Sequence, residues 1–245
     1  MWKEGKKMDL KTIIDQSDQI VFFGGAGVST QSGIPDFRSE GGIYSALKEF
    51  GLPPEEIISH TFFMQHPDEF YQFYKEKMVY PDAQPNAAHI GLAKLEQMGK
   101  LKAIVTQNID NLHQLAGSKN VIQLHGSVCR NYCIKCGKFY PLEKILKAPG
   151  IPYCDECGSI IKPDVVLYEE SLDEQVMNRA VDAISSADVL IVGGTSLQVY
   201  PAAGFLRFYH NHKLVLINKS STPFDRQADL LIHEPIGQVF ESLGL

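Results

Sequence analysis

The amino-acid sequence predicts an α/β protein built on a doubly wound parallel sheet with a smaller lobe added to it. Three observations support this fold class. Short apolar runs such as residues 20–23 alternate with helical patterns, an order typical of a parallel sheet. Small or polar residues directly follow several of these runs, as ligand-binding loops do in such sheets. Four cysteines, spaced as two Cys-x-x-Cys pairs, interrupt the pattern and indicate a separate metal module.

The composition is that of a globular protein. The chain has 245 residues, of which 44% are hydrophobic and 21% charged, enough for one large domain with an insert. Lys and Arg number 23 against 29 Asp and Glu, and the net charge of −6 argues against nucleic-acid binding. No apolar run predicts a membrane span, and the N-terminus lacks a secretory pattern. We therefore expect a cytoplasmic, reducing location, where cysteines favour metal over disulfides.

The first predicted strand, residues 20–23, leads into a glycine-rich turn. Gly25 and Gly27 can take positive φ and carry no Cβ, so a pyrophosphate could approach the backbone. A helix after the turn would direct its first N–H groups at that phosphate. The dinucleotide fingerprint is incomplete, because Thr30 stands at its third glycine and no acid follows a second strand about 20 residues on. On these residues alone, a plain strand–turn–helix corner remains an alternative.

Short helices are predicted before the glycine turn and after it. Apolar spacing marks one at residues 8–16, and proline with acids in the first turn marks two more at Pro53 and Pro67. The third carries aromatic residues at 70, 71, 73 and 74. We favour packing of these rings against the sheet domain over a role in an acyl pocket. A further helix opens at residues 85–89 and ends at Gly99.

Two polar motifs follow predicted strands at residues 101–106 and 121–124. The sequence Gln-Asn-Ile-Asp at 107–110 follows the first strand, and His125 follows the second. In parallel sheets ligands bind at such carboxyl ends. Asp110 could equally cap the helix after it, and the two roles are compatible. A lone histidine is more often structural, but one at a strand end beside a glycine is a better candidate base.

The cysteine pattern Cys-x2-Cys-x17-Cys-x2-Cys is the strongest local signal in the chain. Its spacing matches a zinc ribbon, in which two hairpins supply four thiolates to one Zn²⁺. A four-cysteine set leaves no open coordination position, so the predicted ion is structural. Cys129 lies outside the pattern and is predicted not to be a ligand. The predicted ligands are Cys133, Cys136, Cys154 and Cys157.

Strand–turn–helix units resume after the cysteines. An extended segment is predicted at residues 165–168, helices at 172–185, 202–210 and 236–243, and strands at 188–192, 214–217 and 230–232. A second small-residue turn, Gly-Gly-Thr-Ser at 193–196, suits a cofactor. These elements predict a discontinuous Rossmann-like domain of residues 8–42, 81–126 and 164–245. Residues 43–80 are predicted to form a helical insert and residues 127–163 a zinc ribbon. Together they would make the small lobe, and the cleft between the lobes would be the natural active site.

Taken together and in order, the motifs at residues 25–38, 107–110, 125–126, 133–157 and 194–196 resemble those of the sirtuins, the NAD-dependent protein lysine deacylases. The resemblance spans about residues 9 to 243. It implies transfer of the acetyl group from acetyl-lysine to the ADP-ribose of NAD, with release of nicotinamide, the deacetylated protein and O-acetyl-ADP-ribose. The expected partners are acetylated lysines of proteins, with no membrane, no direct nucleic-acid contact and a monomeric state. A longer-chain aliphatic deacylase or a mono-ADP-ribosyltransferase on the same scaffold are the alternatives.

The resemblance also implies residue roles. His125 would be the general base on a ribose hydroxyl, and Asn108 would hold the ribose and an ordered water. A substrate peptide would add as a strand along Val165, Val166, Leu167, Tyr168 and Glu169, where Glu169 replaces the family's usual glycine. The residues implied to bind NAD are Gly25, Ala26, Gly27, Thr30, Phe37, Arg38, Gln107, Asn108, Ile109, Asp110, His125, Gly194, Thr195, Ser196 and Asn218.

Acyl preference and two other function classes remain as expectations. Sirtuins that remove acidic acyl groups resemble one another in a Tyr-x-x-Arg pair, and here Tyr71 is followed by Tyr74, which predicts neutral acyl groups. Lys75, about 100° further round the helix, should point elsewhere. A zinc-ribbon module that binds nucleic acid or protein would have only three lysines as its basic cluster. An ordinary NAD-linked oxidoreductase would need the acid that is missing.

Overall fold

The computed structural model describes residues 9–36, 51–211 and 213–245. The strands of the described residues are β1 Ile20–Gly24, β2 Leu101–Thr106, β3 Val121–Gln123, β4 Gly126–Cys133, β5 Phe139–Pro141, β6 Ile161–Val165, β7 Val189–Gly193, β8 Leu214–Ile217 and β9 Leu230–Ile232. Six of them form a parallel sheet in the order β3-β2-β1-β7-β8-β9. A second, antiparallel sheet has the order β5-β4-β6. The predicted doubly wound parallel sheet is confirmed.

Alternate residues of the parallel strands enter two different cores, because successive side chains of a strand point to opposite faces. Phe22 and Ile191 lie on one face with the helices Leu10–Asp15, Ala87–Gln97 and Ile236–Ser242. Phe23 and Val192 lie on the other face with the helix Glu174–Ser186. Burial on both faces explains why these strands read as continuous apolar runs.

The helix predicted at residues 202–210 is shorter in the structure, where Ala202–Phe208 forms a 3₁₀ helix. In the part of the chain that the structure describes, the remaining α-helices are Pro54–Ile57, His60–Gln65, Pro67–Phe73, Leu112–Leu115 and Leu142–Lys147. Among the described residues, no helix has the length and apolar character needed to cross a bilayer.

The smaller lobe combines the antiparallel sheet with the short helices around Pro67–Phe73. Phe70 and Tyr74 are fully buried in a cluster that also contains Tyr140 and Ile161 of the antiparallel sheet. The aromatic stripe therefore packs against the cysteine module, and the prediction that it packs against the parallel-sheet domain is wrong. Helical spacing shows that a face is buried but does not identify its partner.

Candidate active site

A cleft of about 870 Å³ lies at the carboxyl ends of the parallel strands, between the two sheets. Loops that follow β1, β2, β3, β7, β8 and β9 all contribute to its lining. The topology brings these loops together because every strand of the sheet is parallel to its neighbours. Among the described residues, each one predicted to bind the cofactor or the substrate lines this cleft. Phe37 and Arg38, which are also predicted to bind the cofactor, lie outside the residues that the structure describes.

Two glycine turns, after β1 and after β7, pack directly against each other. The Gly27 N–H donates to the Gly194 carbonyl oxygen at 2.8 Å, and a Cβ on Gly27 would lie 2.8 Å from the Gly194 Cα. Gly25 is extended, with φ −135°, so the turn does not use the positive φ that a glycine allows at this position. Two short 3₁₀ segments, Ala26–Val28 and Thr30–Ser32, stand where the sequence predicted a helix after the turn. The glycines are needed here for close packing of one turn on the other.

A buried network of polar side chains fixes the floor of the cleft. The Ser29 hydroxyl donates to the Asp110 carboxylate at 2.6 Å and accepts from the Asn108 amide at 3.0 Å. Asp110 also accepts from the Leu112 N–H at 2.9 Å, but the N-cap residue of the helix Leu112–Leu115 is Asn111 and not Asp110 as predicted. Burial raises the pKa of Asp110, and these hydrogen bonds oppose that shift. The floor therefore offers a fixed amide and a fixed carboxylate to a polar ligand group.

Ser29 and His89 were missed by the sequence reasoning. His89 Nδ1 accepts from the Asn86 N–H at 3.2 Å, so the neutral ring carries its proton on Nε2, which lies 3.5 Å from the Ser29 hydroxyl. Burial lowers the pKa of His89 to about 4. The sequence contained one signal: His89 stands at the third position of a helix capped by Asn86.

His125 is the ionisable group best placed to accept a proton. Its Nδ1 lies 3.0 Å from the Gln107 carbonyl oxygen, and because a carbonyl only accepts, Nδ1 carries the proton of the neutral ring. Nε2 then keeps its lone pair. Burial lowers the pKa of His125, and the bond to Gln107 opposes that shift. The ring is therefore neutral at pH 7, as a general base must be.

Three buried histidines predict that stability falls in acid. Burial lowers the pKa of His89, His113 and His125, so below about pH 6.5 the unfolded chain binds more protons than the folded chain. We expect each histidine to remove about 1.4 kcal/mol of unfolding free energy per pH unit between about pH 6 and the folded-state pKa. Urea unfolding of wild type and His113→Phe at several pH values measures this slope.

The variant provides the comparison, because it removes one of the three groups and leaves Asp110, whose raised pKa acts in the opposite direction. Below pH 6 the unfolding free energy of the variant should change less steeply with pH than that of the wild type, by about 1.4 kcal/mol per pH unit, which corresponds to one proton. Above pH 7.5 the two slopes should coincide. Equal slopes at all pH values would show that His113 does not stay neutral in the folded protein.

The predicted substrate segment forms one wall of the cleft. The Val166 N–H donates to the His125 carbonyl oxygen at 3.1 Å, and the Tyr168 N–H donates to the Ile58 carbonyl oxygen at 3.0 Å. Glu169 has φ +74°, so the extended conformation expected at this position is wrong. Its carboxylate accepts from the Thr61 N–H at 2.9 Å. This contact holds a non-glycine residue in a conformation that glycine adopts more readily.

The four predicted ligand cysteines converge in the small lobe. Their Sγ atoms lie within 4.8 Å of one another, and the pairs Cys133–Cys157 and Cys136–Cys154 are 3.4 and 3.6 Å apart. Tetrahedral zinc with 2.3 Å bonds places its sulfurs about 3.8 Å apart. The donor set and the spacing fit a structural zinc ion. Cys129 lies outside this cluster.

Comparison with known proteins gives the same fold and the same chemistry. The model of the family described as "Sir2 family" matches residues 25–201. A relative from Clostridium acetobutylicum, named NAD-dependent protein deacetylase, is 61% identical over 236 residues, 96% of each chain. A relative from Clostridium perfringens with the same name is 62% identical over 231 residues, which cover 94% of this chain and 95% of the relative.

Solved structures extend the similarity to three dimensions. A Sir2 variant with deacetylated p53 peptide and 3′-O-acetyl-ADP-ribose has a TM-score of 0.86 and 41% identity, covering 94% of each chain. A Sir2 complex with p53 peptide and NAD⁺ has a TM-score of 0.84 and 40% identity, covering 96% of this chain and 97% of that one. The similarity therefore covers the parallel sheet, the small lobe and the cleft between them.

Proposed function

The chain belongs to the Sir2 family and is an NAD-dependent protein deacetylase, and from this premise we propose how its own residues perform the reaction. NAD supplies the ribose that receives the acetyl group and nicotinamide as the leaving group. The observation that carries the proposal is the position of His125, whose Nδ1 is held by the Gln107 carbonyl at the edge of the cleft. His125 Nε2 accepts the proton of a ribose hydroxyl as that oxygen forms its bond to the acetyl carbon.

The floor network binds and orients the nicotinamide half. Asp110 and the Ile109 backbone hold the carboxamide, which needs one acceptor and one donor. Ser29 keeps the Asp110 carboxylate in one orientation through its 2.6 Å hydrogen bond. Asn108 holds the ribose and a water molecule. Orientation of this kind converts binding energy into rate.

The rest of the cofactor and the peptide occupy the remaining walls. Gly25, Gly27 and the turn at residues 194–196 contact the phosphates, and Asn218 contacts the adenosine half. Phe37 would cover the reacting ribose carbon and exclude water, and Arg38 would orient the ribose-phosphate part. The peptide adds along residues 165–169. The protein substrates carry acetylated lysine. We propose that the chain acts as a monomer. We place it in the cytoplasm, because a zinc site made of thiolates suits a reducing compartment.

One assay tests this function against its alternatives. The protein is incubated with NAD and an acetyl-lysine peptide, and nicotinamide, free lysine peptide and O-acetyl-ADP-ribose are measured by mass spectrometry. Equal amounts of the three products are expected. Nicotinamide release with ADP-ribose attached to protein would favour the transferase, and a change in nicotinamide absorbance without deacetylation would favour an oxidoreductase.

The acyl preference should be neutral. Tyr71 and Tyr74 are fully buried; the Tyr71 hydroxyl donates to the Ile161 carbonyl. Lys75 Nζ donates to the Ala148 and Gly150 carbonyls at 2.7 and 2.8 Å and lies 5.8 Å from the centre of the Tyr71 ring. Lys75 is not among the residues that line the cleft. Neither Tyr71 nor Tyr74 carries a positive charge, so an acidic acyl group would bury its carboxylate beside them without a charged partner, which costs several kcal/mol. We expect kcat/KM for acetyl-lysine to exceed that for succinyl-lysine by at least about 100-fold.

Matched variants test whether the absence of a cation beside the acyl group causes the expected preference. Tyr74→Arg supplies a cation at the position that the resemblance assigns to arginine and should narrow the ratio of acetyl to succinyl kcat/KM, whereas Tyr74→Phe should not. Circular dichroism checks that both variants keep the fold, because Tyr74 is fully buried. Lys77 lines the cleft, and Lys77→Ala tests whether its ammonium serves acidic acyl groups. Equal or faster succinyl turnover by the wild type would overturn the expected preference.

A further inference from the structure

The strand order divides the cleft into two ends. Asp110 and His125 follow β2 and β3, whereas Asn218 follows β8, and the two glycine turns follow β1 and β7 between them. β2 and β8 are three strand spacings apart, about 14 Å. With the nicotinamide half over β2 and β3, as proposed above, the adenosine half lies over β7, β8 and β9.

Hydrogen bonds place the loop after β8 at the edge of the cleft. The Gly194 N–H donates to the Ile217 carbonyl at 3.1 Å, which joins the cofactor turn to the end of β8. The Asn218 amide donates to the Ser220 carbonyl at 3.0 Å and closes a tight turn. Lys219, Ser220 and Ser221 are exposed and line the cleft. A ligand over β8 therefore meets one ammonium group and two hydroxyls.

The charge of this loop differs from that of an NAD-specific site. Dinucleotide folds specific for NAD place a carboxylate at the adenosine ribose, whereas those that accept a 2′-phosphate place a cation there. Residues 218–221 contain no acid. Asp225, the next acid along the chain, accepts from the Thr222 N–H and hydroxyl at 2.9 and 2.7 Å and is not among the cleft residues.

The charges of Lys219 and Glu234 determine how well this end of the cleft can bind an anion. None of the ion pairs formed among residues 9–36, 51–211 and 213–245 involves Lys219. Its ammonium is exposed and can bind an incoming anion. Glu234, two residues beyond β9, also lines the cleft and would repel the same anion. One cation and two hydroxyls therefore face one carboxylate.

We propose that the adenosine end of the cleft accepts a 2′-phosphate, so that the enzyme binds and uses NADP as well as NAD. Lys219, Ser220 and Ser221 bind the phosphate, and Glu234 limits the affinity. The proposal rests on the proposed function. The reaction at the other end is unchanged: the acetyl group passes from the lysine nitrogen to a ribose hydroxyl, nicotinamide leaves, and one water is consumed. The phosphate takes no part and remains on the O-acetyl-ADP-ribose product.

Calorimetry with NAD and NADP, together with deacetylation rates for each, tests the proposal. We expect the Kd of NADP to lie within about tenfold of that of NAD, and Lys219→Glu to weaken NADP at least about tenfold more than NAD. Ser220→Glu should also weaken NADP binding more than NAD binding. Glu234→Gln should strengthen the binding of NADP and leave that of NAD unchanged. Lys11→Glu is the matched control, because it makes the same charge change on the helix Leu10–Asp15, outside the cleft.

The outcomes separate this proposal from the function on which it rests. NADP that neither binds nor competes at about a thousand times the Kd of NAD would overturn the proposal. So would an unchanged ratio of NADP to NAD affinity in both Lys219→Glu and Ser220→Glu. Absence of deacetylation with either dinucleotide would overturn the proposed function, while the calorimetric ratio would still measure phosphate recognition.

Discussion

His125→Ala should lower kcat/KM for an acetyl-lysine peptide by about 10²–10⁴-fold, the range for loss of a general base. The geometry supports this expectation, because the Gln107 carbonyl holds Nδ1 at 3.0 Å and leaves Nε2 as the ring nitrogen that can accept a proton. Burial keeps the pKa of the ring below its ordinary value, so the base is neutral at pH 7. Nicotinamide release and deacetylated peptide are measured with the wild type in parallel.

Two comparisons show whether the loss belongs to the proton transfer. Zinc content and circular dichroism should stay close to wild type in His125→Ala, because the ring belongs to none of the three hydrophobic clusters. His210→Ala removes an exposed histidine that does not line the cleft, and it should keep full activity. Turnover of His125→Ala close to that of the wild type would show that another group accepts the proton.

The site residues that follow the parallel strands could be predicted from the sequence, and the reason is the topology of the sheet. Residues that follow different parallel strands meet at one edge of the sheet, however far apart they lie in the chain. Asn108, His125 and Thr195 line the same cleft for this reason. The zinc ligands could be predicted because their short spacing is itself the geometry of two metal-binding hairpins.

The conformation of the glycine turn could not be predicted, because it depends on a contact between distant segments. Gly27 packs on Gly194, 167 positions later in the chain, and no local signal identifies that partner. The aromatic stripe shows the same limit: its burial was predicted, but not its packing on the cysteine module. Local pattern specifies that a face is covered, and tertiary contacts specify by what.

Glu169 shows how a side chain can supply what a backbone rule would assign to glycine. The family resemblance implies a glycine here, and this chain has a glutamate instead. In the structure the backbone keeps a left-handed φ of +74°, and the carboxylate binds the Thr61 N–H. The hydrogen-bond partner lies 108 positions away, so its effect on the backbone is invisible in the local sequence.

Loss of zinc should have the second large effect, since Cys133→Ala or Cys154→Ala is expected to unfold the small lobe and abolish activity. Both cysteines are buried in the cluster that contains the aromatic stripe. Structural zinc contributes apparent binding free energies of about 10–16 kcal/mol at neutral pH, as much as the whole stability of a typical domain. Activity depends on this lobe because β6 leads directly into the substrate wall at residues 165–169.

Cys129→Ala is the matched control for the zinc prediction, because it removes a thiol from β4 that is not one of the four converging cysteines. Metal analysis should find about one zinc per chain in the wild type and in Cys129→Ala, and much less in the two ligand variants. Limited proteolysis should cut the ligand variants within residues 127–163 first, since the parallel sheet has two cores of its own. A metal-free protein that stays folded and fully active would show that the four thiols do not form a structural zinc site.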